Sequence, residues 1–386
     1  MPEESNEDKL TIARRYYRDY GGRARELKEQ GRTLIGYLCA YVPVEIISAA
    51  GFIPFRIRGD VNEPITKADA QMETLVCPLV RSCFDLALKG RFHFLNGLVI
   101  PHACDSMCRT YDIWKYTLDL PFTQMINIPH EISESSLEFF VNILETFRKV
   151  LGDFSGTRIS DDRLIGSIES YNQMRSRVVD LYELRKSDPP QISGSDAIKV
   201  LMAGAGIPVD EFDDLLTGII EEAKKGSPEG TEKLPRVMVV GSQIDHADFI
   251  DLIEDSGAAV VVDDLCPGTR EYFPQAPIKD NPVLGLAERY LGGINCARTY
   301  RKKRGAYEEY LEDRFGHIGK FIKEFNVDGV ILYFYKYCDP FGFEVPQIKS
   351  YIEAKGVPVL YLEGDYSIAA GGALRTRIQA FLEMII

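Results

Sequence analysis

The feature that most restricts this chain is a repeated unit of short apolar run, turn and helix, present in both halves and missing from the middle. In the first half, Thr33–Leu38 reads as a strand followed by a helix from Pro43 to Ala50. Phe94–Pro101 reads as a strand before a helix around Tyr111–Tyr116, and Thr123–Ile128 as a third strand. In the second half the expected strands are Arg236–Gly241, Ala258–Asp263, Val327–Tyr335 and Val357–Leu362. They alternate with helices at His246–Ser256, Tyr307–Phe325 and Ala373–Ile385. Runs of this length joined by helices cannot pair as hairpins; they build βαβ units and parallel sheets. Between them, Glu131 to Lys225 shows 3.6-residue periodicity with almost no strand signal, and the stretch 226–235 reads as a linker. Residues 7–30 form a charged amphipathic helix weakened at Gly21-Gly22. The expectation is two flavodoxin-like (Rossmann-like), doubly wound parallel-sheet domains with a helical segment between them. The boundaries fall at 1–130, 131–230 and 231–386.

At 386 residues the chain is long enough for two such cores. Forty-five basic against 58 acidic side chains leave a net charge of −13, which excludes a nucleic-acid or anionic-membrane binder driven by bulk charge. An apolar content of 45% argues against disorder, and no apolar run approaches the ~18 residues of a membrane span. The acidic, polar start (MPEESNEDKL) carries no secretory signal, so a cytoplasmic location is expected.

Eight cysteines therefore need a reason other than disulfides. No CxxC occurs, so zinc ribbons, ferredoxin runs and thioredoxin motifs are excluded together. Cys39, Cys104, Cys266 and Cys338 lie just past expected strand C-termini, two in each half, where open parallel sheets place their ligands. Cys77 precedes Pro78 at an expected helix start, and Cys296 follows Gly292-Gly293; helix N-termini favour thiolate. A cleft between two facing domains would collect the four strand-end cysteines, with Cys77 and Cys296 the next candidates, and thiolates without histidine partners point to iron–sulfur chemistry. Cys83 and Cys108 fall inside expected helices and read as small buried hydrophobes.

Other residues have a bland reading beside the sharp one. His102 could donate to a cluster sulfide or supply a proton, or be satisfied by loop backbone. Asp105 caps the helix after Cys104. Arg298, Arg301, Lys302, Lys303 and Arg304 could steer a partner or hold a phosphate-bearing substrate, but read first as a solvated helix face. Tyr333, Tyr335 and Tyr337 alternate along a strand as a packed face. Glu363 and Asp365 follow a strand and could be proton donors if buried. Neither GxGxxG after a strand nor GxxxxGK[ST] is present, so no dinucleotide or P-loop site is assigned.

The segments GYLCAYVPVEIISAAGFIPFRI, LVCPLVRS, GLVIPHACDSM, VVVDDLCPGTR, YLGGINCARTYRKKR, DGVILYFYKYCDPFGFE and GVPVLYLEGDYSIAAGGALRTRIQAFLE occur in this order. Together they resemble the 2-hydroxyacyl-CoA dehydratase / benzoyl-CoA reductase family, most closely its double-cubane cluster proteins. The resemblance implies that Cys77, Cys104 and Cys338 hold one cubane and Cys39, Cys266 and Cys296 a second, giving an [8Fe–9S] cluster. The alternative it leaves is one [4Fe–4S] cluster in a subunit of an (R)-2-hydroxyacyl-CoA dehydratase. It also implies a homodimer reducing small molecules with electrons from a separate iron–sulfur ATPase activator of the actin/Hsp70-like fold, with His102 and Glu363 as candidate proton donors. A solute-binding module whose cysteines merely pack is the non-enzymatic alternative.

Overall fold

A computed structural model describes residues 7–226, 233–302, 305–367 and 371–385. Lys303, Arg304, the linker core 227–232 and the first six residues lie outside the described residues. The chain opens with α1 (Lys9–Arg18) and α2 (Gly22–Glu29), one amphipathic run broken where Gly21 takes φ +93°. The first α/β unit follows in the order β1 (Leu34–Tyr37), α3 (Val44–Ala49), β2 (Ile53–Arg56), α4 (Pro78–Leu88), β3 (Gly97–Pro101), α5 (Asp105–Thr117), β4 (Phe122–Ile126). The helical segment comprises α6 (Glu134–Ser155), α7 (Asp161–Glu183), α8 (Gly194–Gly204) and α9 (Val209–Lys225). Ser133, Ser160 and Ser193 start α6, α7 and α8 by accepting a backbone N–H of the first turn. The second unit runs β5 (Arg236–Gly241), α10 (Asp248–Glu254), β6 (Ala259–Asp264), α11 (Thr269–Tyr272), α12 (Pro282–Glu288), α13 (Tyr307–Glu324), β7 (Gly329–Tyr335), α14 (Asp339–Glu353), β8 (Val359–Gly364), α15 (Gly371–Ile385).

All strand pairs are parallel, and the two sheets have the same topology: β2-β1-β3-β4 and β6-β5-β7-β8. Strands β1, β3, β5 and β7 are buried along their whole length, as expected of central strands covered by helices on both faces. This is the expected pair of flavodoxin-like domains. The helical segment packs on both of them, α6 against β4 and α8 against β6, and so wedges the sheets together. Helices α11 and α12 are not expected from the sequence, and β2 and α14 carry no clear signal in it. Strand β2 is four residues long and contains Pro54, too little to read as a strand. Helix α14 contains Pro340 in its first turn and Pro346 inside, which read locally as breakers. Among the described residues no helix is long and apolar enough to cross a membrane.

In each sheet the chain reverses direction of winding between two central strands, β1/β3 in the first and β5/β7 in the second. Loops leaving the carboxyl ends of such a pair diverge to opposite faces and leave a crevice between them. The two crevices meet in one cavity.

Candidate functional site

The cavity has a volume of about 410 Å³, and its wall contains all six cysteines singled out at strand ends and helix starts: Cys39, Cys77, Cys104, Cys266, Cys296 and Cys338. Cys83 is fully buried inside α4 and Cys108 lies within α5; neither lines the cavity. The rest of the wall is largely apolar, including Leu79, Val80, Met107 and Phe341, while Phe343, 85% exposed, stands at the mouth.

Local structure divides the thiols into two kinds. Cys77, Cys104 and Cys338 are each the residue immediately before a helix, at the N-termini of α4, α5 and α14. There the unpaired first-turn N–H groups and the helix dipole favour negative charge on sulfur. The backbone N–H groups of Leu79 and Val80 reach Cys77, and that of Met107 reaches Cys104. Cys39, Cys266 and Cys296 sit in loops. Cys39 takes φ +72°, a left-handed conformation costly for a side chain with a Cβ. Cys266 receives a 3.3 Å hydrogen bond from Arg270 Nη1, and the same guanidinium is held by Gly241 O, Asp264 and the face of the Phe341 ring.

Burial pushes these thiols up: Cys77 to about 11, Cys104 to about 12, and Cys266 to about 11 despite Arg270; Cys39 and Cys338 also lie far above the ordinary range. Repulsion between them adds to burial and shows who neighbours whom. Cys39 feels Cys266 and Cys296, whereas Cys338 feels Cys77 and Cys104 ahead of Cys266 and Cys296. Such thiols stay protonated at neutral pH until a cation displaces the proton.

Among the described residues no three His, Cys, Asp or Glu side chains converge closely enough to hold a single metal ion. The thiols instead surround a volume far larger than the ~10–15 Å³ that one water needs. Soft sulfur donors spread around a largely apolar chamber fit a body of several soft metal atoms better than one ion at a point. Three lining residues, Ser242, Gln243 and Tyr335, each also carry a fully buried side-chain polar atom (Oγ, Nε2 and OH) without a hydrogen-bond partner among the described residues.

The remaining sequence candidates lie elsewhere. His102 follows β3 but is absent from the wall; its ring meets His130 edge-on at 5.5 Å, and His130 lines the cavity in its place. Glu363 lies on β8 rather than after it, exposed, accepting a 2.6 Å hydrogen bond from Tyr361 OH; it does not reach the cavity. Asp365 pairs with Lys336 at the surface. Tyr333 and Tyr335 are packed, and Tyr337 is the exposed member of the trio.

The basic run departs most from its expected reading as a solvated helix face. Its described part is not helical, and Arg298 is only 6% exposed. Arg298 donates to Ala103 O, Pro129 O and Ile128 O at 3.3, 2.8 and 3.0 Å and lies over the Tyr41 ring. Tyr41 OH meets Thr299 Oγ1 at 2.8 Å, and Tyr300 N donates to His130 O at 2.6 Å. The segment carrying Cys296 is thus stapled to the first domain. Sequence reasoning misses His130 and the Ser242-Gln243 pair, although both lie just past strand ends, the position that singles out four of the cysteines.

The fold and site define a two-domain α/β protein with a thiol-lined chamber between its sheets. The family model described as "2-hydroxyglutaryl-CoA dehydratase, D-component" matches residues 39–385, and the chain belongs to this family. It is 27% identical over 364 residues to the (R)-phenyllactyl-CoA dehydratase beta subunit of Clostridium sporogenes, covering 94% of each chain. It is 28% identical over 364 residues to a benzoyl-CoA reductase subunit of Thauera aromatica, covering 92% of each. The (R)-2-hydroxyglutaryl-CoA dehydratase beta subunit of Acidaminococcus fermentans is 23% identical over 361 residues, with 93% of this chain and 94% of that one covered. The chain is therefore related to dehydratase and reductase components.

Proposed function

We propose that the chain is the electron-accepting component of an ATP-coupled reductase, with an [8Fe–9S] double-cubane cluster in the chamber. Cys77, Cys104 and Cys338 would hold one cubane and Cys39, Cys266 and Cys296 the other. The observation that carries this reading is that six cysteines from six separate segments line one cavity. A structural cysteine gains nothing from such a meeting, since it packs equally well anywhere in a core.

Bound there, the cluster would supply single electrons at low potential. The chain's own residues do the rest. Three helix N-termini and the Arg270 guanidinium offset the charge of the thiolates. The largely apolar wall lowers the local dielectric, so each added electron costs more. Filling such a cluster needs a driven donor, and the sequence has no P-loop, so hydrolysis falls to a separate iron–sulfur ATPase acting on a homodimer of this chain. His102 and Glu363, outside the cavity wall, take no part in this reading.

The family relatives named as dehydratase beta subunits favour a second reading, a dehydratase subunit with one [4Fe–4S] cluster held by Cys77, Cys104 and Cys338. Anaerobic purification followed by iron and sulfide analysis separates the two: about eight iron atoms per chain for the first, about four for the second. Reconstituted protein without iron would refute both.

A further inference from the structure

Of the six thiols lining the chamber, Cys266 alone receives a hydrogen bond from a side chain among the described residues, from Arg270 Nη1 at 3.3 Å. A guanidinium donates through a planar fork, so holding part of it fixes the direction of the rest. Here all four terminal N–H groups have an acceptor. Nη1 donates to Gly241 O at 3.0 Å and to the sulfur, and Nη2 to Asp264 O at 2.8 Å and Asp264 Oδ2 at 3.1 Å. Asp264 is the last residue of β6, so the group that aims the fork is itself anchored in the sheet.

The same carboxylate oxygen is the inner end of a longer chain that begins on α13. Arg314 and His317 are three residues apart and share a face of that helix. Arg314 Nη1 donates to Asn295 Oδ1 at 2.7 Å, and a guanidinium cannot accept. The Asn295 amide is therefore oriented with Nδ2 toward Arg314 O at 2.9 Å and His317 Nδ1 at 2.8 Å. His317 Nδ1 is then an acceptor, the ring proton lies on Nε2, and Nε2 donates to Asp264 Oδ2 at 3.2 Å. Arg314 also donates to Cys296 O at 2.8 Å and, at 2.7 Å, to Glu344 on α14, the helix that follows Cys338. One face of α13 thus reaches the segments of three of the six cysteines, and the string of bonds ends on the Cys266 sulfur.

We propose that His317 is a positioning residue for the cluster: through Asp264 it holds the Arg270 guanidinium on the Cys266 sulfur, and the hydrogen bond so fixed raises the potential at which the cluster accepts electrons. This rests on the double-cubane reading above, in which Cys266 is a ligand. A donor on a ligand sulfur favours the more negative, reduced state, and a charged donor does so more than a neutral one.

The test compares His317→Leu, which removes both ring nitrogens, with His317→Gln, which keeps an N–H to offer Asp264. The His317 side chain is 27% exposed, so either residue can be accommodated. Anaerobic redox titration of iron-loaded His317→Leu should show a lower potential, on the order of a tenfold change in the oxidised-to-reduced ratio, or ~59 mV for a one-electron couple. His317→Gln should stay close to wild type. In an Arg270→Lys background, which keeps a charge opposite Asp264 but loses the fork, His317→Leu should have little further effect. A merely structural His317 would leave the potential unchanged in His317→Leu protein with full iron, and that result would overturn the proposal. Urea unfolding of the metal-free protein tests the link without a cluster: the effects of His317→Leu and Arg270→Lys should be non-additive. Additive effects there would also overturn the proposal. Wild-type protein that takes up about four iron atoms, or none, would instead refute the double-cubane reading.

Discussion

Replacing Arg298 by methionine tests whether the segment that carries Cys296 is stapled or merely adjacent. The guanidinium satisfies three backbone carbonyls of the first domain, at Ala103, Ile128 and Pro129, and covers the Tyr41 ring with its centre 5.1 Å away. Methionine fills similar space but donates nothing. At about 1 kcal/mol net for each lost hydrogen bond, and about 1 kcal/mol for the cation–π contact, the loss sums to about 4 kcal/mol. Spread over 386 residues at ~2.1 cal/mol/K each, that lowers the melting temperature by ~5 °C. Urea unfolding of the metal-free protein measures the loss without interference from a bound cluster. Lys302→Met, on the exposed part of the same run, should stay within about 0.5 kcal/mol of wild type. An Arg298→Met loss no larger than that of Lys302→Met would refute the staple and restore the solvated reading of the run.

Cys104→Ser or Cys338→Ser should abolish iron retention on reconstitution, whereas Cys83→Ser and Cys108→Ser should leave iron per chain near wild type, since neither thiol lines the cavity. Glu45 is fully buried between Arg175 and Tyr290 OH; burial alone would raise its carboxyl, but Arg175 and Arg289 bring it below the usual carboxylate value. Its contribution is therefore complete above the unfolded value of ~4.3 and is lost as pH falls through the lower folded value. Glu45→Gln, leaving Arg175 buried without its charge partner, should cost ~3–5 kcal/mol near neutral pH and flatten that acid limb in urea midpoints measured against pH. Gly241→Ala drives a Cβ against the backbone carbonyl of Tyr333 and should destabilise by ~1–3 kcal/mol in the same unfolding assay.

What the sequence determined by itself is what depends on neighbours in the chain. Alternation of apolar runs and helices is local, so β5 was legible to the residue and the other strands of both sheets to within a few, while β2 and α14 were hidden by prolines that tertiary packing overrides. The cysteine positions were legible for the same reason: a strand end or a helix start is a local property, and parallel sheets put ligands there. Tertiary structure decided which of these residues meet. The grouping of Cys39 with Cys266 and Cys296, the burial of Arg298 against carbonyls some 170 to 195 positions earlier, and the replacement of His102 by His130 in the wall all arise between segments far apart in sequence. The buried polar atoms of Ser242, Gln243 and Tyr335 that lack a partner among the described residues belong to the same class. A missing partner can be seen only once every neighbour is in place, because hydrogen bonding and charge act through space over a few ångströms and take no account of distance along the chain.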